Sequence, residues 1–170
     1  MNRTDFPILG HNKNKIPLIY LDNAATSHKP QVVIDSLSNF YSYYNANIHR
    51  GVHSFGEQAT QMYEDARLTV ANFIGADDPS EVIFTRGTTE SINNIAYTWG
   101  LTHIGSGDII VVSELEHHAH LLPWQWLAQK TGAQIIYIPV SPDGQLDMLA
   151  YDRIISLSGA RIKLVAALSR

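Results

Sequence analysis

Two stretches of this sequence combine residue types that could do chemistry. The first is Phe84-Thr85-Arg86-Gly87-Thr88-Thr89-Glu90, where an apolar, β-branched run passes through glycine into a segment of helical character. A helix beginning here offers free backbone N–H groups and the positive end of its dipole, and the Thr88 and Thr89 hydroxyls add donors. Such a spot suits an anion, a phosphate above all. The competing reading makes Thr88 a plain N-cap, since threonine is common there, and the spacing is not that of a P-loop. Glu90 suits the dipole but has to point away from any bound phosphate.

The second stretch is Ser113-Glu114-Leu115-Glu116-His117-His118-Ala119-His120, directly after the apolar run Ile109 to Val112. Ligands in open α/β sheets bind beyond the carboxyl ends of strands, so both stretches could open onto one crevice. An imidazole there could stack on a flat heterocycle and exchange protons near neutral pH. Glu116, His117, His118 and His120 also suggest a metal site, but successive residues seldom converge on one ion, and no metal is expected. Taken singly, His118 and His120 read as surface or helix-start residues. In Asn47-Ile48-His49-Arg50-Gly51-Val52-His53 the two histidines could belong to a loop, a metal pair or an anion-contacting arm.

The elements that must hold these residues follow from periodicity. Leu18 to Leu21 reads as a strand ended by Asp22-Asn23. Pro30 opens a helix in which Val33, Ile34, Leu37, Tyr41 and Tyr44 recur on one face, expected to be buried. Ser54-Phe55-Gly56-Glu57 fits a capping box, and the helix beyond it aligns Met62, Ala66, Val70, Phe73 and Ile74 before Gly75. From Glu81 the pattern alternates: strands at Val82 to Thr85, Ile109 to Ser113, Ile135 to Ile138 and Lys163 to Leu168, and helices at Thr88 to Trp99, His120 to Lys130 and Met148 to Ser156. Short apolar strands alternating with helices predict the α/β class, a three-layer α/β/α arrangement around a mostly parallel sheet. A chain that closes on an apparently central strand reads as a truncated domain.

Composition narrows the function classes. At 170 residues, with 45% hydrophobic and 16% charged residues, the chain has the length and composition of one ordinary soluble domain. A net charge of −4 with scattered basic residues supplies no stripe for nucleic-acid phosphates. No apolar run approaches the roughly 20 residues of a membrane helix. The N-terminus lacks a secretory h-region, so a cytoplasmic location is expected. With no cysteine in the chain, disulfides and a thiol nucleophile are absent from these residues.

Several motifs together carry a family resemblance: Tyr20-Leu21-Asp22-Asn23-Ala24-Ala25-Thr26 with Lys29-Pro30, His49-Arg50-Gly51-Val52-His53, Phe84 through Asn93, and Glu116-His117-His118-Ala119-His120 closed by Pro123-Trp124-Gln125. In that order and spacing the chain, from about Pro17 on, resembles the group II cysteine desulfurases, or selenocysteine lyases, of the class V aminotransferase type. The resemblance implies residues 1–16 as an N-terminal extension and 17–170 as the first part of an aspartate aminotransferase-like (fold type I) large domain, incomplete at its C-terminal end. It implies pyridoxal 5′-phosphate as cofactor, with Thr88 and Thr89 on its phosphate. His117 would stack on the pyridine ring and help move protons. Ala24, Ala25 and His49 would lie near the substrate, L-cysteine or L-selenocysteine, with His49 reaching toward a partner subunit.

The implied reaction converts L-cysteine to L-alanine and leaves an enzyme persulfide for iron–sulfur assembly, in a homodimer that serves a sulfur-acceptor protein. The Schiff-base lysine, the aspartate facing the pyridine nitrogen, the nucleophilic cysteine and the carboxylate-binding arginine belong to later family segments. Lys13, Lys15, Lys29, Lys130 and Lys163 match no Schiff-base position. His120 stands where many relatives carry Asn, and Ser91 where Gly is frequent. Kynureninase-like and epimerase-like enzymes share the cofactor, but the Glu116-His117-His118-Ala119 run and the His49-Arg50-Gly51 arm favour the desulfurase branch. The non-enzymatic alternative is a degenerate partner or a non-catalytic fragment, inactive by itself.

Overall fold

In the computed structural model, which describes residues 2–11 and 16–167, the chain packs as two units, Met1–Ile83 and Phe84–Arg170. The first unit begins with two 3-10 turns, Arg3–Asp5 and Pro7–Gly10. Leu18 to Leu21, expected as a strand, is irregular and pairs with no strand among the described residues. A lone extended run lacks ladder partners, and here the Leu18 carbonyl accepts from the Arg3 guanidinium at 2.6 Å. The Tyr20 hydroxyl lies 3.0 Å from the Asp22 carbonyl oxygen and 3.1 Å from that of Thr26.

Helix α1 (Gln31–Asn39) follows, with Pro30 as its N-cap, and runs into a π-helical turn at Phe40–Tyr44. Its expected buried face is not buried. Val33, Ile34, Leu37, Tyr41 and Tyr44 are all exposed, Leu37 at 54%. Helix α2 (Ser54–Ile74) corrects the sequence reading at its start. His53 is the N-cap, its Nδ1 accepting the Gly56 N–H at 3.2 Å, so Ser54 is the first helical residue and not a capping-box hydroxyl. The helix stops at Gly75, left-handed at φ 73, where the Ala76 N–H reaches back to the Ala71 carbonyl. Its buried residues are the small ones, Gly56, Ala59 and Ala71, whereas Phe73 is 89% exposed. Periodicity sets which side chains share a face; burial needs a surface opposite that face.

Val82 to Thr85, the second expected strand, is likewise outside any ladder, and Ile83 is 78% exposed. Helix α3 (Thr88–Ile95) continues through a π-helical turn at Ala96–Gly100 into the single turn α4 (Leu101–His103). Then come β1 (Ile109–Ser113), α5 (His118–Thr131), β2 (Gln134–Ile138), α6 (Met148–Ser158) and β3 (Ile162–Ala166). The three strands form one parallel sheet in the order β2-β1-β3. Ile109 pairs with Gln134 and Ser113 with Ile138, while a register irregularity between Ile109 and Ile110 offsets β3.

Every residue of β1 is buried, because both faces of the sheet are covered. Ile110 and Val112 pack with Ile92, Ala96, Trp124 and Leu127 of the α3 and α5 layer. Ile109 and Val111 pack on the opposite face with Ile138, Tyr151 and Ile154, the last two from α6. The three-layer α/β/α arrangement expected from the sequence is therefore present in this unit. β3 is not central among the described residues: it pairs only with β1 and leaves Val165 41% exposed at an edge. Leu168, the expected end of that strand, lies outside the described residues. No helix among the described residues is long and apolar enough to cross a membrane.

Candidate active site

The start of α3 owes its form to Gly87. At φ 157 and ψ 177 the glycine holds a conformation that side chains rarely adopt, and it serves as the N-cap. Having no side chain, it caps nothing, so Thr88 and Thr89 are the first two helical residues and the plain N-cap reading of Thr88 is corrected. The turn is tied down from beneath. Thr85 Oγ1 and Ser91 Oγ lie 2.7 Å apart and approach the Gly87 carbonyl at 3.2 and 3.3 Å.

Glu90 reaches backward to accept the Arg86 N–H at 2.6 Å, which occupies its carboxylate on the preceding turn. Thr88 and Thr89 are exposed, and no side chain caps the helix. Among the described residues neither threonine hydroxyl has a partner. Two free hydroxyls beside an uncapped helix N-terminus make a donor set for a dianionic phosphate.

A second helix start carries His117. It is the N-cap of α5 at φ −65 and ψ 146, and its Nδ1 accepts the Ala119 N–H at 3.0 Å. With Nδ1 used as an acceptor, the neutral ring holds its proton on Nε2. The exposed ring meets His118 edge-on, with centroids 6.2 Å apart. α3 and α5 pack together through the core already described; Tyr97 contacts Trp126 at 4.2 Å between ring centroids, and Gly100 sits under Leu127. Both of these contacts lie past the first turns of the two helices.

Beneath His117 lies Glu116, which the sequence suggested only as a metal ligand and not in the role it has here. The Glu116 side chain is fully buried, with one carboxylate oxygen accepting the Ser113 hydroxyl and the other hydrogen-bonded with His120 Nδ1. The spacing of Ser113, Glu116 and His120 carries no signal by itself, since the link depends on how the loop between the strand end and the helix first turn folds. These bonds engage both Glu116 oxygens. Among the described residues no three His, Cys, Asp or Glu side chains form a group that could hold a metal.

The remaining candidates belong to the first unit. Ala24 and Ala25 sit exposed in a tight turn in which the Ala25 and Thr26 N–H groups both reach the Asp22 carbonyl, at 3.3 and 3.2 Å. His49 is the one non-glycine residue at positive φ among those described, at 66°. Its N–H donates to Thr60 Oγ1 at 2.9 Å, and its ring lies 3.8 Å from Glu64 and edge-on to Tyr63. The loop closes where Gly51 meets Gly56 backbone to backbone, with no room for a Cβ on Gly56. Ala24, Ala25 and His49 thus fall in one unit, and Thr88, Thr89 and His117 in the other.

Comparison with known proteins places this chain in a family. The sequence profile of the aminotransferase class-V family matches residues 19–169. A probable cysteine desulfurase of Mycolicibacterium paratuberculosis is 52% identical over 165 residues, covering 97% of this chain and 24% of the relative. A cysteine desulfurase of Haloferax volcanii is 50% identical over 159 residues, covering 86% of this chain and 37% of the relative. The apo structure of a cysteine desulfurase from Thermococcus onnurineus superposes with a TM-score of 0.85 at 40% identity, over 97% of this chain and 38% of that one. The chain thus spans between about a quarter and two-fifths of the length of these relatives. With the profile matching nearly its whole length, the chain belongs to the aminotransferase class-V family.

Proposed function

We propose that this chain is the cofactor-phosphate-binding part of a pyridoxal phosphate-dependent cysteine desulfurase, which converts L-cysteine to L-alanine and passes the sulfur to an acceptor protein for iron–sulfur cluster assembly. The observation that carries the reading is the uncapped start of α3 with the Thr88 and Thr89 hydroxyls free. It fits the cofactor's phosphate in charge and donor number. His117 stands at a second helix start with its Nε2–H outward, suited to lie against a flat ring and to hold or release a proton at that atom. When bound, the cofactor supplies an electron sink for charge developing on the substrate.

Glu90 contributes by turning its carboxylate to Arg86 and so keeping a second negative charge off the phosphate site. Ala24 and Ala25 are proposed to border the substrate, where their small side chains leave room, and His49 to approach it from a strained loop. The chain has no cysteine, so the thiol that takes up the sulfur has to come from elsewhere in the protein or its partner. A homodimer is proposed for the complete enzyme.

Binding of pyridoxine 5′-phosphate tests the proposal, because this alcohol cannot form imines with stray lysines. Replacing both threonines, Thr88→Ala with Thr89→Ala, should weaken it about 10- to 100-fold, the value of one or two hydrogen bonds to a charged group. Phosphate-free pyridoxine should show no such difference. Equal affinity of wild type and double variant for the phosphate ester would refute the site.

A further inference from the structure

Between β1 and α5 the chain turns through Glu114, Leu115, Glu116 and His117, and one buried carboxylate governs how it does so. Glu116 immediately precedes the N-cap of α5, and His120 is the third residue of that helix. Their side chains join across His117, while the second Glu116 oxygen takes the hydroxyl of Ser113, the last residue of β1. One group therefore ties together the strand end, the loop and the first helical turn.

His117 lies inside this closed ring of contacts. Its carbonyl is held by the N–H groups of His120 at 2.8 Å and Leu121 at 3.0 Å, which fixes it to the first turn of α5. What remains free is the imidazole, and the Ala119 N–H claims Nδ1. That bond requires the loop and the first turn to keep their relation, which the buried carboxylate enforces. A carboxylate fully removed from water is costly unless its oxygens are met, so loss of either partner should open the turn and not merely shift it. His120 is braced in turn by Trp124, whose ring it meets edge-on at 6.2 Å.

We propose that Glu116 and His120 are positioning residues that fix the orientation and the tautomer of His117. They touch no reacting atom and act through the His117 ring. The identity of the flat ring that His117 meets rests on the pyridoxal phosphate reading above; the clamp itself exists without it.

The test is nitrogen NMR of the His117 ring, with hydrogen exchange of the Ala119 amide, in the whole protein without ligand. Wild type should show a single Nε2–H tautomer. His120→Ala should give a mixture of tautomers and speed Ala119 exchange about tenfold or more, as expected when one capping bond becomes local opening. His120→Asn, whose side-chain amide can donate to Glu116 from the same turn, should restore the wild-type tautomer. A folded His120→Ala protein with the His117 tautomer and Ala119 exchange unchanged overturns the proposal.

If His120→Ala fails to fold, Ser113→Ala and His120→Asn decide. The first should loosen His117 in the same direction and the second should leave it fixed; an unchanged Ser113→Ala or a scrambled His120→Asn overturns it. Pyridoxine 5′-phosphate added to wild type separates the two claims. A clamp signature without any ligand effect on His117 refutes the cofactor reading and leaves the clamp standing.

Discussion

In the second unit β1 places Ile109 through Ser113 wholly out of water, between an α3 and α5 layer on one side and α6 on the other. In the first unit α1 carries an equally regular apolar stripe and buries none of it, while α2 buries only Gly56, Ala59 and Ala71. The two regions have similar sequence patterns and opposite outcomes. A stripe sets which residues can be buried together, and only a surface opposite makes burial happen. The second unit has that surface among its own residues, so its helix starts are held where the sheet sets them. Thr88, Thr89 and His117 stand on that firm part of the molecule.

The sharpest way to break this contrast is to place a charge in each region. Val111→Asp puts an unpaired carboxylate in the sheet interior and should cost about 3–5 kcal/mol in chemical denaturation. Leu37→Asp, on the exposed stripe of α1, should stay within about 0.5 kcal/mol. Similar losses at both positions would show that α1 is covered in solution.

A smaller effect should come from the close contact within the first unit. A Cβ at Gly56 would stand 2.8 Å from the Gly51 Cα, so Gly56→Ala should destabilise by about 1–3 kcal/mol and loosen the loop that bears His49. Faster amide exchange of His49 would report it, and an unchanged rate would mean that the Gly51 loop yields freely.

The smallest effect concerns acid. The Asp78 carboxylate accepts the Ser80 N–H at 2.7 Å, and this backbone bond, followed by the Ser80 side chain, holds its pKa below the ordinary Asp value. A lowered folded-state pKa stabilises the turn above the ordinary range and loses that effect as pH falls through the folded value. The group is exposed, so solvent screens the effect. An NMR pH titration of the Ser80 amide should show its midpoint below that of an unstructured Asp. Asp78→Asn should abolish the step.

Much of the second unit was legible in the sequence. The apolar run at Ile109 to Ser113 is buried on both faces as its composition implied, and in the first unit Gly75 ends α2 where the sequence placed it. The start of α2 was displaced by one residue because an unusual cap, His53 instead of Ser54, does the work, while α3 begins at Thr88 as expected, behind Gly87. Side-chain statistics favour hydroxyls and carboxylates at an N-cap, and an imidazole Nδ1 escapes them. Leu18 to Leu21 and Val82 to Thr85 have strand-like residues, but a strand is a property of two segments, and no second one lies beside them among the described residues. The positions of Thr88 and Thr89 at a helix start could be read from punctuation, whereas α5 begins at His118, two residues before the expected His120, and so makes His117 its N-cap. The Ser113, Glu116 and His120 link could not be read, because it depends on a loop folding one carboxylate under the next residue.

The central claim is that a phosphate-bearing pyridine ring binds at the start of α3 with His117 against it. Hydrogen–deuterium exchange with and without pyridoxine 5′-phosphate tests it most directly. Protection should concentrate on the amides of Thr88, Thr89 and Glu90, with a second effect around His117 to Ala119. Protection elsewhere, or none at saturating ligand, would contradict the account.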